Sequence, residues 1–302
     1  MCGIAGFVND MPIDVKCPVL QRMTDMIAHR GPDSEGHYID EHAALGHRRL
    51  SIIDLGGGQQ PIYNEDGSKV ITFNGEIYNY QTLREELIAA GHTFTTKSDT
   101  EVLLHGYEQW GVDLLQRVRG MFTFVIWDKN KQELFGARDH FGIKPFYYAK
   151  MNGTFMYASE IKSLLRHPDF VKELNAEALK PYMTFQYPAI GETFFKGVYK
   201  LPEGHYFTYR DGKMDIHRYY DEDFREGKQK LGELVNSIDQ TVCDSVKAHQ
   251  IADVEVGSFL SSGVDSSYVA AVARPQHTYS IGFGKGTYNE SQQAANWRNC
   301  SN

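Results

Sequence analysis

The sequence predicts two domains of different fold class, a layered α+β domain followed by the beginning of an α/β domain with a parallel sheet. The first prediction rests on many short segments rich in aromatic and β-branched residues, which only two or three helical segments interrupt within about the first 160 residues. The second rests on one strand–helix–strand pattern near the end of the sequence. Between them the stretch 221–230 is charged and contains no apolar run, so we place a linker there.

The strands of the first domain are predicted to be short and largely buried. Gly3 to Val8 is an apolar run of the length typical of a buried strand. A hairpin is predicted over Tyr206 to Tyr220, because Asp211-Gly212 is a favoured two-residue turn. The remaining strand candidates share a high content of aromatic and β-branched residues: Leu50 to Ile53, Val70 to Phe73, Met121 to Trp127, Glu133 to Ala137, Phe146 to Ala149 and Phe155 to Tyr157.

Four segments of the first domain are predicted to be helical. Val19 to Ala28 has apolar residues at helical intervals, and Gly31-Pro32 stops it. Ser98 followed by Glu101 is a capping-box signature, so a helix should begin at Ser98 and end at Gly111. The other two are Tyr80 to Ala90, which ends at Gly91, and a segment near Ala176 to Thr184.

The second domain begins with a long amphipathic helix. Leu231 to Ile251 is followed by a strand (Val254 to Leu260), a Ser/Gly loop, a helix of small residues (Ser266 to Val272) and a second strand (Thr278 to Phe283). Two strands joined through a helix indicate a parallel pair. A doubly wound sheet needs more such units to cover both of its faces, so this domain is expected to be cut short.

Composition and charge restrict the class of protein. The hydrophobic content of 41% and the charged content of 23% are ordinary for a soluble globular chain. A net charge of −8 argues against a nucleic-acid partner. We expect no membrane contact and a cytoplasmic location, because no run is long enough to span a bilayer and the N-terminus lacks a signal sequence. The four scattered cysteines predict neither a disulfide framework nor a structural zinc site, and no histidine pair forms an H-E-x-x-H motif.

Cys2 is the most informative residue of the first domain. If Met1 is removed, Cys2 carries a thiol and a free α-amine, so one residue supplies both a nucleophile and its base. An α-amine titrates near ~7.7–8.0 and can therefore accept a proton at neutral pH. The simpler interpretation is an ordinary buried cysteine beside the start of the chain.

Four further side chains suit the recognition of an α-amino acid that carries a side-chain amide. Arg49 offers a guanidinium for a carboxylate, and Asn74 with the backbone N–H of Gly75 forms a plausible oxyanion hole. Glu76 and Asp99 supply carboxylates for an ammonium group. Singly these residues have simpler roles, such as a surface ion pair, a hairpin turn or a helix cap. Together, behind an N-terminal cysteine, they favour a catalytic site.

The chain resembles the glutamine-hydrolysing asparagine synthetases, whose N-terminal half is a class II glutamine amidotransferase of the N-terminal-nucleophile hydrolase superfamily. The resemblance is carried by segments that run in the family's order from Cys2 to about Leu165: CGIAGF, HRGPDSEG, GHRRLSIIDL, QPIYN, FNGEIYNY, SDTEV, RGMFTFVIWD, ARDHFGIKPFYY and SEIKSLL. It implies a four-layer αββα sandwich over residues 2–220 and an incomplete ATP-pyrophosphatase-type synthetase domain over residues 231–302.

The resemblance also implies a role for each site residue. Cys2 would be the nucleophile, Asn74 and Gly75 the oxyanion hole, and no cofactor is expected for this step. The implied glutamine-binding residues are Arg49 for the carboxylate, Glu76 and Asp99 for the amino group, Asn74 and Gly75, and the backbone of Leu50, Ser51, Ile52 and Ile53.

A second motif, S-S-G-V-D-S, joins a strand to a helix at residues 261–266. Small residues at such a turn let backbone N–H groups approach a phosphate, but no Gly-Lys-Ser/Thr follows, so it is not a Walker A loop. It resembles the pyrophosphate loop of ATP pyrophosphatases, with Ser262 where the usual motif has Gly. The resemblance implies ATP and Mg²⁺ as cofactors. The implied ATP-binding residues are Leu260, Ser261, Ser262, Gly263, Asp265, Ser266 and Ile281, with Asp265 as the metal ligand.

The leading interpretation is an asparagine synthetase with a shortened synthetase half. Cys2 would release ammonia from glutamine for the ATP-dependent amidation of aspartate, with AMP and pyrophosphate as products. The family's later S-G-x-G-x-D-E segment is missing, so asparagine formation by this chain alone is not expected. The alternatives are a stand-alone glutaminase or ammonia donor, and an inactive fragment or binding module. The expected partners are glutamine, aspartate and ATP, and a homodimer is left open.

Overall fold

The structure is a computed structural model that describes residues 1–187, 191–261 and 263–282. The chain divides into two compact units, Met1–Glu222 and Asp223–Asn302. The division falls in the charged stretch 221–230, whose residues adopt neither helix nor strand. None of the described helices is both long enough and apolar enough to cross a bilayer.

The described strands and helices have the following bounds. The strands are β1 (Gly3–Val8), β2 (Ser34–Ile39), β3 (Ala43–Arg49), β4 (Ile62–Tyr63), β5 (Lys69–Ile77), β6 (Gly120–Asp128), β7 (Glu133–Arg138), β8 (Tyr147–Met151), β9 (Thr154–Ala158), β10 (Val198–Lys200), β11 (His205–Arg210), β12 (Lys213–Arg218), β13 (Ser258–Phe259) and β14 (Thr278–Tyr279). The α-helices are α1 (Ile13–Asp25), α2 (Tyr80–Ala89), α3 (Asp99–Trp110), α4 (Ile161–Leu164), α5 (Leu179–Phe185), α6 (Leu231–Ala248) and α7 (Val264–Ala273). Short 3₁₀ helices span Ala28–Arg30, Gly111–Gln116 and Ala176–Ala178.

Two antiparallel sheets of six strands form the centre of the first unit. Their strand orders are β10-β8-β9-β1-β3-β2 and β12-β11-β7-β6-β5-β4. The β11–β12 hairpin turns at Asp211 and Gly212 as predicted, and both residues have positive φ (50° and 72°), the conformation that this turn requires.

Side chains alternate between two apolar layers because successive strand residues point to opposite faces of a sheet. In β1, Ile4 enters a core that also contains Val125 of β6, so this layer lies between the sheets. Ala5 and Phe7 of the same strand enter a second core with Leu20 of α1. Helices therefore cover the outer face of the first sheet.

The outer face of the second sheet carries α2 and α3. Tyr107 of α3 stacks on Phe135 of β7 with ring centroids 4.6 Å apart. Leu83 and Leu87 of α2 are buried as well. The layers therefore run helix, sheet, sheet, helix, which is the predicted four-layer αββα sandwich.

The second unit contains the parallel pair that the sequence predicts. β13 and β14 pair in parallel, with Ser258 opposite Thr278 and Phe259 opposite Tyr279, and α7 connects them. The predicted strand–helix–strand unit is thus partly present. The predicted strand from Val254 shortens to β13, and the last residue of the second predicted strand, Phe283, lies outside the described residues.

Two predictions for the first unit, one strand and one helix start, are wrong. Leu50 to Ile53 is not a strand: the N–H of Leu50 donates to Cys2 Sγ and that of Ser51 to Asp33, so neither joins a sheet. The first helix starts at Ile13 rather than Val19 and continues through Pro18, because buried residues such as Lys16 and Val19 lie on both sides of the proline.

The predicted capping box of α3 is half right. Ser98 precedes the helix, and its hydroxyl accepts a hydrogen bond from the N–H of Thr100 at 3.2 Å. Glu101 does not return to Ser98; its carboxylate accepts from the N–H groups of Thr95 and Thr96, both at 2.7 Å. The acidic side chain therefore fixes the loop before α3 rather than the cap itself.

Candidate active site

One cavity of the first unit collects most of the residues that the sequence singled out. It encloses about 470 Å³ of empty space, part of which is open to solvent. Ser51 does not line it. The predicted residues that do are Cys2, Arg49, Leu50, Ile52, Ile53, Asn74, Gly75, Glu76 and Asp99, and the remainder of the lining is Met1, Gly58, Gln60, Phe73, Ser98, Thr100 and Lys144.

Strand pairing explains why these distant residues meet. Cys2 stands immediately before β1, whose Gly3 pairs with Arg48, so Arg49 at the end of β3 lies close by. Asn74, Gly75 and Glu76 belong to the far end of β5, in the facing sheet. Asp99 is the first residue of α3, which packs on that sheet. The cavity therefore opens where both sheets and α3 end.

The thiol of Cys2 sits in a shielded position. Its Sγ accepts a hydrogen bond from the N–H of Leu50 at 3.4 Å, and its carbonyl accepts one from Arg30 Nε at 2.9 Å. Burial raises the pKa of the thiol, while the Leu50 N–H opposes that shift. A thiol held in its neutral form needs a base at hand before it can attack a carbonyl.

Met1 lies between that thiol and a buried lysine. Lys144 Nζ is 3.0 Å from Met1 Sδ, and Lys144 is only 3% exposed. Burial lowers the pKa of the Met1 amine and also that of Lys144. The α-amine of Met1 therefore loses its proton more readily than an exposed α-amine does.

Arg49 is held by backbone oxygens. Its Nη2 donates to the carbonyls of Ile53 at 3.0 Å and Asp54 at 2.7 Å. A guanidinium carries five N–H donors on three nitrogens, and these two bonds use one nitrogen. Gly58 packs against the same nitrogen, where a methyl group would come within 2.7 Å of Nη2. Arg49 is thus fixed in orientation and retains donors for an anionic ligand.

Asn74 is a buried amide without a partner among the described residues. It is 1% exposed, and neither Nδ2 nor Oδ1 makes a hydrogen bond there. A buried amide of this kind costs free energy unless a ligand or water pairs with it. At the neighbouring Gly75, a methyl group would lie 2.2 Å from the carbonyl oxygen of Met121, so this position has no room for a side chain.

Asp99 and Glu76 place two carboxylates at one end of the cavity. Burial, reinforced by the charge of Glu76, raises the pKa of Asp99 to about 7. The N–H of Ile77 donates to Asp99 at 3.0 Å and partly opposes that shift. Such a pair is stabilised when a cation binds between the two groups.

Sequence reasoning missed two residues that hold the site together. The Gln60 side chain accepts from the N–H of Phe73 at 2.6 Å and donates to the hydroxyl of Thr100 at 3.2 Å, so it links β5 to α3. His47 Nε2 lies 3.0 Å from the Phe73 carbonyl, and burial lowers the pKa of His47 to about 3, so the ring is neutral. Gln60 begins the segment QPIYN, which is the one signal that could have identified it.

The second predicted site lies in the other unit. Ser261 and Ser266 join their hydroxyls across the loop at 2.8 Å, and the N–H of Gly263 donates to Ser261 Oγ at 3.2 Å. Gly263 directly precedes α7. Ser262 lies outside the described residues.

The other predicted ATP-binding residues differ in exposure. Asp265 is exposed in the first turn of α7, and Ile281 is 72% exposed. Leu260 is 3% exposed and packs with Ala270, so its side chain is already covered within this unit. Among the described residues predicted to bind ATP, Ser261, Gly263 and Ser266 present polar groups that face one another.

Comparisons with known proteins identify relatives of this chain. Two curated relatives are asparagine synthetases [glutamine-hydrolyzing] 1 and 3 of Bacillus subtilis (strain 168). The chain is 44% identical to the first over 298 residues, covering 96% of this chain and 47% of that protein. The chain is 36% identical to asparagine synthetase 3 over 299 residues, covering 94% of this chain and 48% of that protein. The chain thus spans about half the length of these relatives.

A solved structure with a similar fold is the glutamine phosphoribosylpyrophosphate amidotransferase from B. subtilis. The TM-score is 0.55 at 17% sequence identity, with 95% of this chain and 67% of that chain covered. Residues 237–300 match the asparagine synthase family. Residues 1–220 match the glutamine amidotransferase domain, and the chain therefore belongs to the glutamine amidotransferase family.

Proposed function

We propose that the cavity around Cys2 hydrolyses glutamine to glutamate and ammonia. After removal of Met1, the α-amine takes the thiol proton as Cys2 Sγ attacks the side-chain amide carbon of glutamine. The tetrahedral intermediate collapses, the C–N bond breaks, and the protonated α-amine returns its proton to the leaving ammonia. Water then attacks the thioester carbon with the same amine as base, the C–S bond breaks, the thiolate takes the proton back from the amine, and glutamate leaves.

The observation that carries this proposal is the unpaired amide of Asn74 in the Cys2 cavity. Its Nδ2, together with the backbone N–H of Gly75, would donate to the oxygen of the intermediate as negative charge develops on it. Because Asn74 is buried and lacks a partner in the described part of the chain, these donors need no rearrangement before the reaction.

The remaining lining suits the amino-acid end of glutamine. The guanidinium of Arg49 would pair with the α-carboxylate, since charge-assisted contacts of this kind are strong and directional. Glu76 and Asp99 would hold the α-ammonium group. The backbone of Leu50, Ile52 and Ile53 would close the pocket, whereas Ser51 would act through its neighbours, because it does not line the cavity.

Covalent labelling tests the site directly. The protein is incubated with a diazoketone analogue of glutamine and analysed by mass spectrometry of intact and digested protein. One label per chain is expected on Cys2, in protein that has lost Met1, and excess glutamine should protect against it. A label on Cys17 or Cys243, or no label on processed protein, would refute the assignment.

We further propose that the two segments 2–220 and 231–302 are the amidotransferase domain and part of a synthetase domain. In this scheme ammonia amidates aspartate with ATP, the reaction that the resemblance to glutamine-hydrolysing asparagine synthetases implies. The loop fits a pyrophosphate group: two hydroxyls, those of Ser261 and Ser266, and the N–H of Gly263 meet at the start of a ten-residue helix.

The other implied ATP contacts follow from the same proposal. By sequence Ser262 belongs to the same motif, Leu260 and Ile281 would frame the adenine, and Asp265 would hold Mg²⁺ through its exposed carboxylate. When bound, Mg²⁺ would neutralise phosphate charge. Binding of ATP with and without Mg²⁺, measured by calorimetry on the full chain and on D265N, tests this part separately from glutamine hydrolysis.

A glutaminase or ammonia donor acting for a separate synthetase is the second candidate function. It is favoured by the burial pattern of the second unit, where α6 has no buried residue, whereas the first unit has two complete apolar cores. Assays with glutamine, aspartate and ATP separate the candidates. Formation of asparagine and pyrophosphate would support the synthetase, and formation of glutamate alone would support the ammonia donor. If no product forms, the chain is an inactive fragment or a binding module.

The proposed setting is a reducing cytoplasm. Cys2, Cys17 and Cys243 are all free thiols, and Cys2 needs a reduced sulfur to act. The proposed partners are glutamine, aspartate and ATP, without nucleic acid or membrane. Light scattering on the purified chain would test whether it forms a homodimer.

A further inference from the structure

A second group of convergent side chains lies outside the lining of the Cys2 cavity. It consists of Glu65, His92, His105 and Glu108, whose nearest nitrogen and oxygen atoms all lie within 4.8 Å of one another. Glu65 belongs to the turn between β4 and β5, His92 follows α2, and the other two lie on one face of α3. No spacing motif indicates the group in the sequence, because only the fold brings these three segments together.

Three of the distances between these donor atoms are close to those of a small tetrahedral metal site, with a different oxygen of Glu65 facing each histidine. Zinc bonds of ~2.0–2.2 Å in a tetrahedron put neighbouring donor atoms roughly 3.3–3.6 Å apart. His105 Nδ1 lies 3.3 Å from Glu65 Oε2 and 3.1 Å from Glu108 Oε2. His92 Nδ1 lies 3.2 Å from Glu65 Oε1. We propose that these four residues bind one Zn²⁺ ion, for which two imidazole nitrogens and two carboxylate oxygens form a suitable donor set.

Both imidazoles are oriented with their Nδ1 atoms toward the group. On the other side of the rings, His92 Nε2 is hydrogen-bonded to Gln109 Oε1 at 3.3 Å, whereas His105 Nε2 lies 3.5 Å from Glu101 Oε1 without a hydrogen bond among the described residues. Metal-binding imidazoles commonly donate their second N–H to a carboxylate or carbonyl oxygen, which fixes the ring and strengthens the ligand. Glu101 is itself 1% exposed.

Glu108 is oriented in the same way. Its Oε1 accepts from Asn64 Nδ2 at 2.7 Å and lies 3.5 Å from Lys69 Nζ, so those groups hold the outer oxygen. Its Oε2 faces His105. The ammonium of Lys69 would compete electrostatically with the metal.

Without an ion, His105 Nδ1 is hydrogen-bonded to Glu108 Oε2 at 3.1 Å. A divalent ion at this position would take the place of that hydrogen bond and contact the carboxylates of both Glu65 and Glu108 at once.

Zinc binding would join the β4–β5 turn, the loop after α2 and the body of α3. Because Glu101 lies two residues after Asp99, the ion would stabilise the end of α3 that reaches the Cys2 cavity. A ligand that binds the folded state alone raises the melting temperature. The thermal shift is therefore a readout that is independent of catalysis.

The test uses the full chain, stripped with a chelator and titrated with Zn²⁺ against a chromophoric competitor at pH 7.5. Co²⁺ serves as a second probe, since its absorption spectrum reports tetrahedral coordination. The variants are E65Q and H92Q, which change one partly exposed ligand each, and H217Q, which changes an exposed histidine on β12, is the control.

One ion per chain is expected, with a higher melting temperature and a tetrahedral Co²⁺ spectrum. E65Q and H92Q should weaken binding at least about 10-fold, a loss typical of disturbed metal sites, and H217Q should not. Circular dichroism confirms that each variant is folded. Absence of stoichiometric zinc, or binding that is equally tight in E65Q and H92Q, would overturn the proposal, since the latter would place the metal elsewhere, for instance on Cys2.

Discussion

The carboxylate of Asp99 accepts a 3.0 Å hydrogen bond from the backbone N–H of Ile77. This contact joins the first residue of α3 to the last residue of β5, the strand that carries Asn74 and Glu76. The two elements therefore hold a fixed register where the cavity opens. Burial and the charge of Glu76 nevertheless raise the pKa of Asp99 to about 7, so the arrangement is completed only by a bound cation.

Replacing the thiol tests the proposed nucleophile. C2A should reduce glutamate release at least about 10³-fold, because no other group of the cavity can form the thioester. C17S is the matched control, since Cys17 is an exposed free thiol on α1, and its activity should equal that of the wild type. An enzyme-coupled glutamate assay measures both. Activity in C2A, or full activity in protein that retains Met1, contradicts the mechanism.

Removing the Asn74 amide tests the oxyanion hole. N74A should lower kcat by about 10²–10³ while the KM for glutamine changes little, because the lost interaction forms only in the transition state. The control N152A removes an exposed turn amide and should leave both constants unchanged. A rise in KM at constant kcat would instead make Asn74 a residue that binds the ground state.

The sequence predicts strands best where both faces are buried. Met121 to Trp127 is aromatic and β-branched, and β6 covers it with one residue added at each end, since this strand lies between two apolar layers. β3 was missed because Ala43–Arg49 consists of small and basic residues, and its pairing with β1 and β2 is what makes it a strand. The strand predicted over Leu50 to Ile53 is wrong for the opposite reason. Its apolar side chains line a cavity instead of packing on a sheet face.

The site could be predicted as far as its chemistry is visible in single residues. Cys2, Arg49 and Asp99 have recognisable reactive groups and do meet in one cavity. Gln60 and Lys144 could not be recognised in this way, because the fold alone brings them close to residues of the cavity that are distant in the sequence. Gln60 bonds to Phe73 and Thr100, which are 13 and 40 residues away in the chain, and Lys144 contacts Met1 across 143 residues.

Arg49 provides a test of substrate binding. R49K should weaken glutamine binding at least about 10-fold, because a lysine retains the charge but loses the planar array of donors that matches a carboxylate. R48K is the matched control: Arg48 pairs with the partly exposed Asp25 and Glu35, contacts that contribute little to stability. Calorimetry in the C2A background measures both. Equal dissociation constants would exclude Arg49 from the carboxylate site.

Gly75 tests the close packing of β5 on β6. G75A places a methyl group 2.2 Å from the Met121 carbonyl, so the strand must shift, and we expect a loss of about 1–3 kcal/mol of unfolding free energy. G56A is the control, because a methyl group there meets no atom within 4 Å. Urea denaturation measures the difference. A G75A protein as stable as the wild type, with unaltered kcat, would show that backbone approach at Gly75 is unimportant.

The raised pKa of Asp99 predicts pH-dependent substrate binding. Below about pH 7 this carboxyl is largely protonated in the free protein and attracts the glutamine ammonium less, so affinity should fall as the pH falls through that value. For C2A, calorimetry should give a dissociation constant roughly 10-fold higher at pH 6 than at pH 8. Adding D99N should weaken binding at both pH values and remove the dependence, whereas D113N, at an exposed carboxyl of Gly111–Gln116, should preserve it. A dissociation constant that is the same at both pH values in C2A would show that Asp99 does not hold the ammonium, because a group that binds a cation through its charge loses that attraction on protonation.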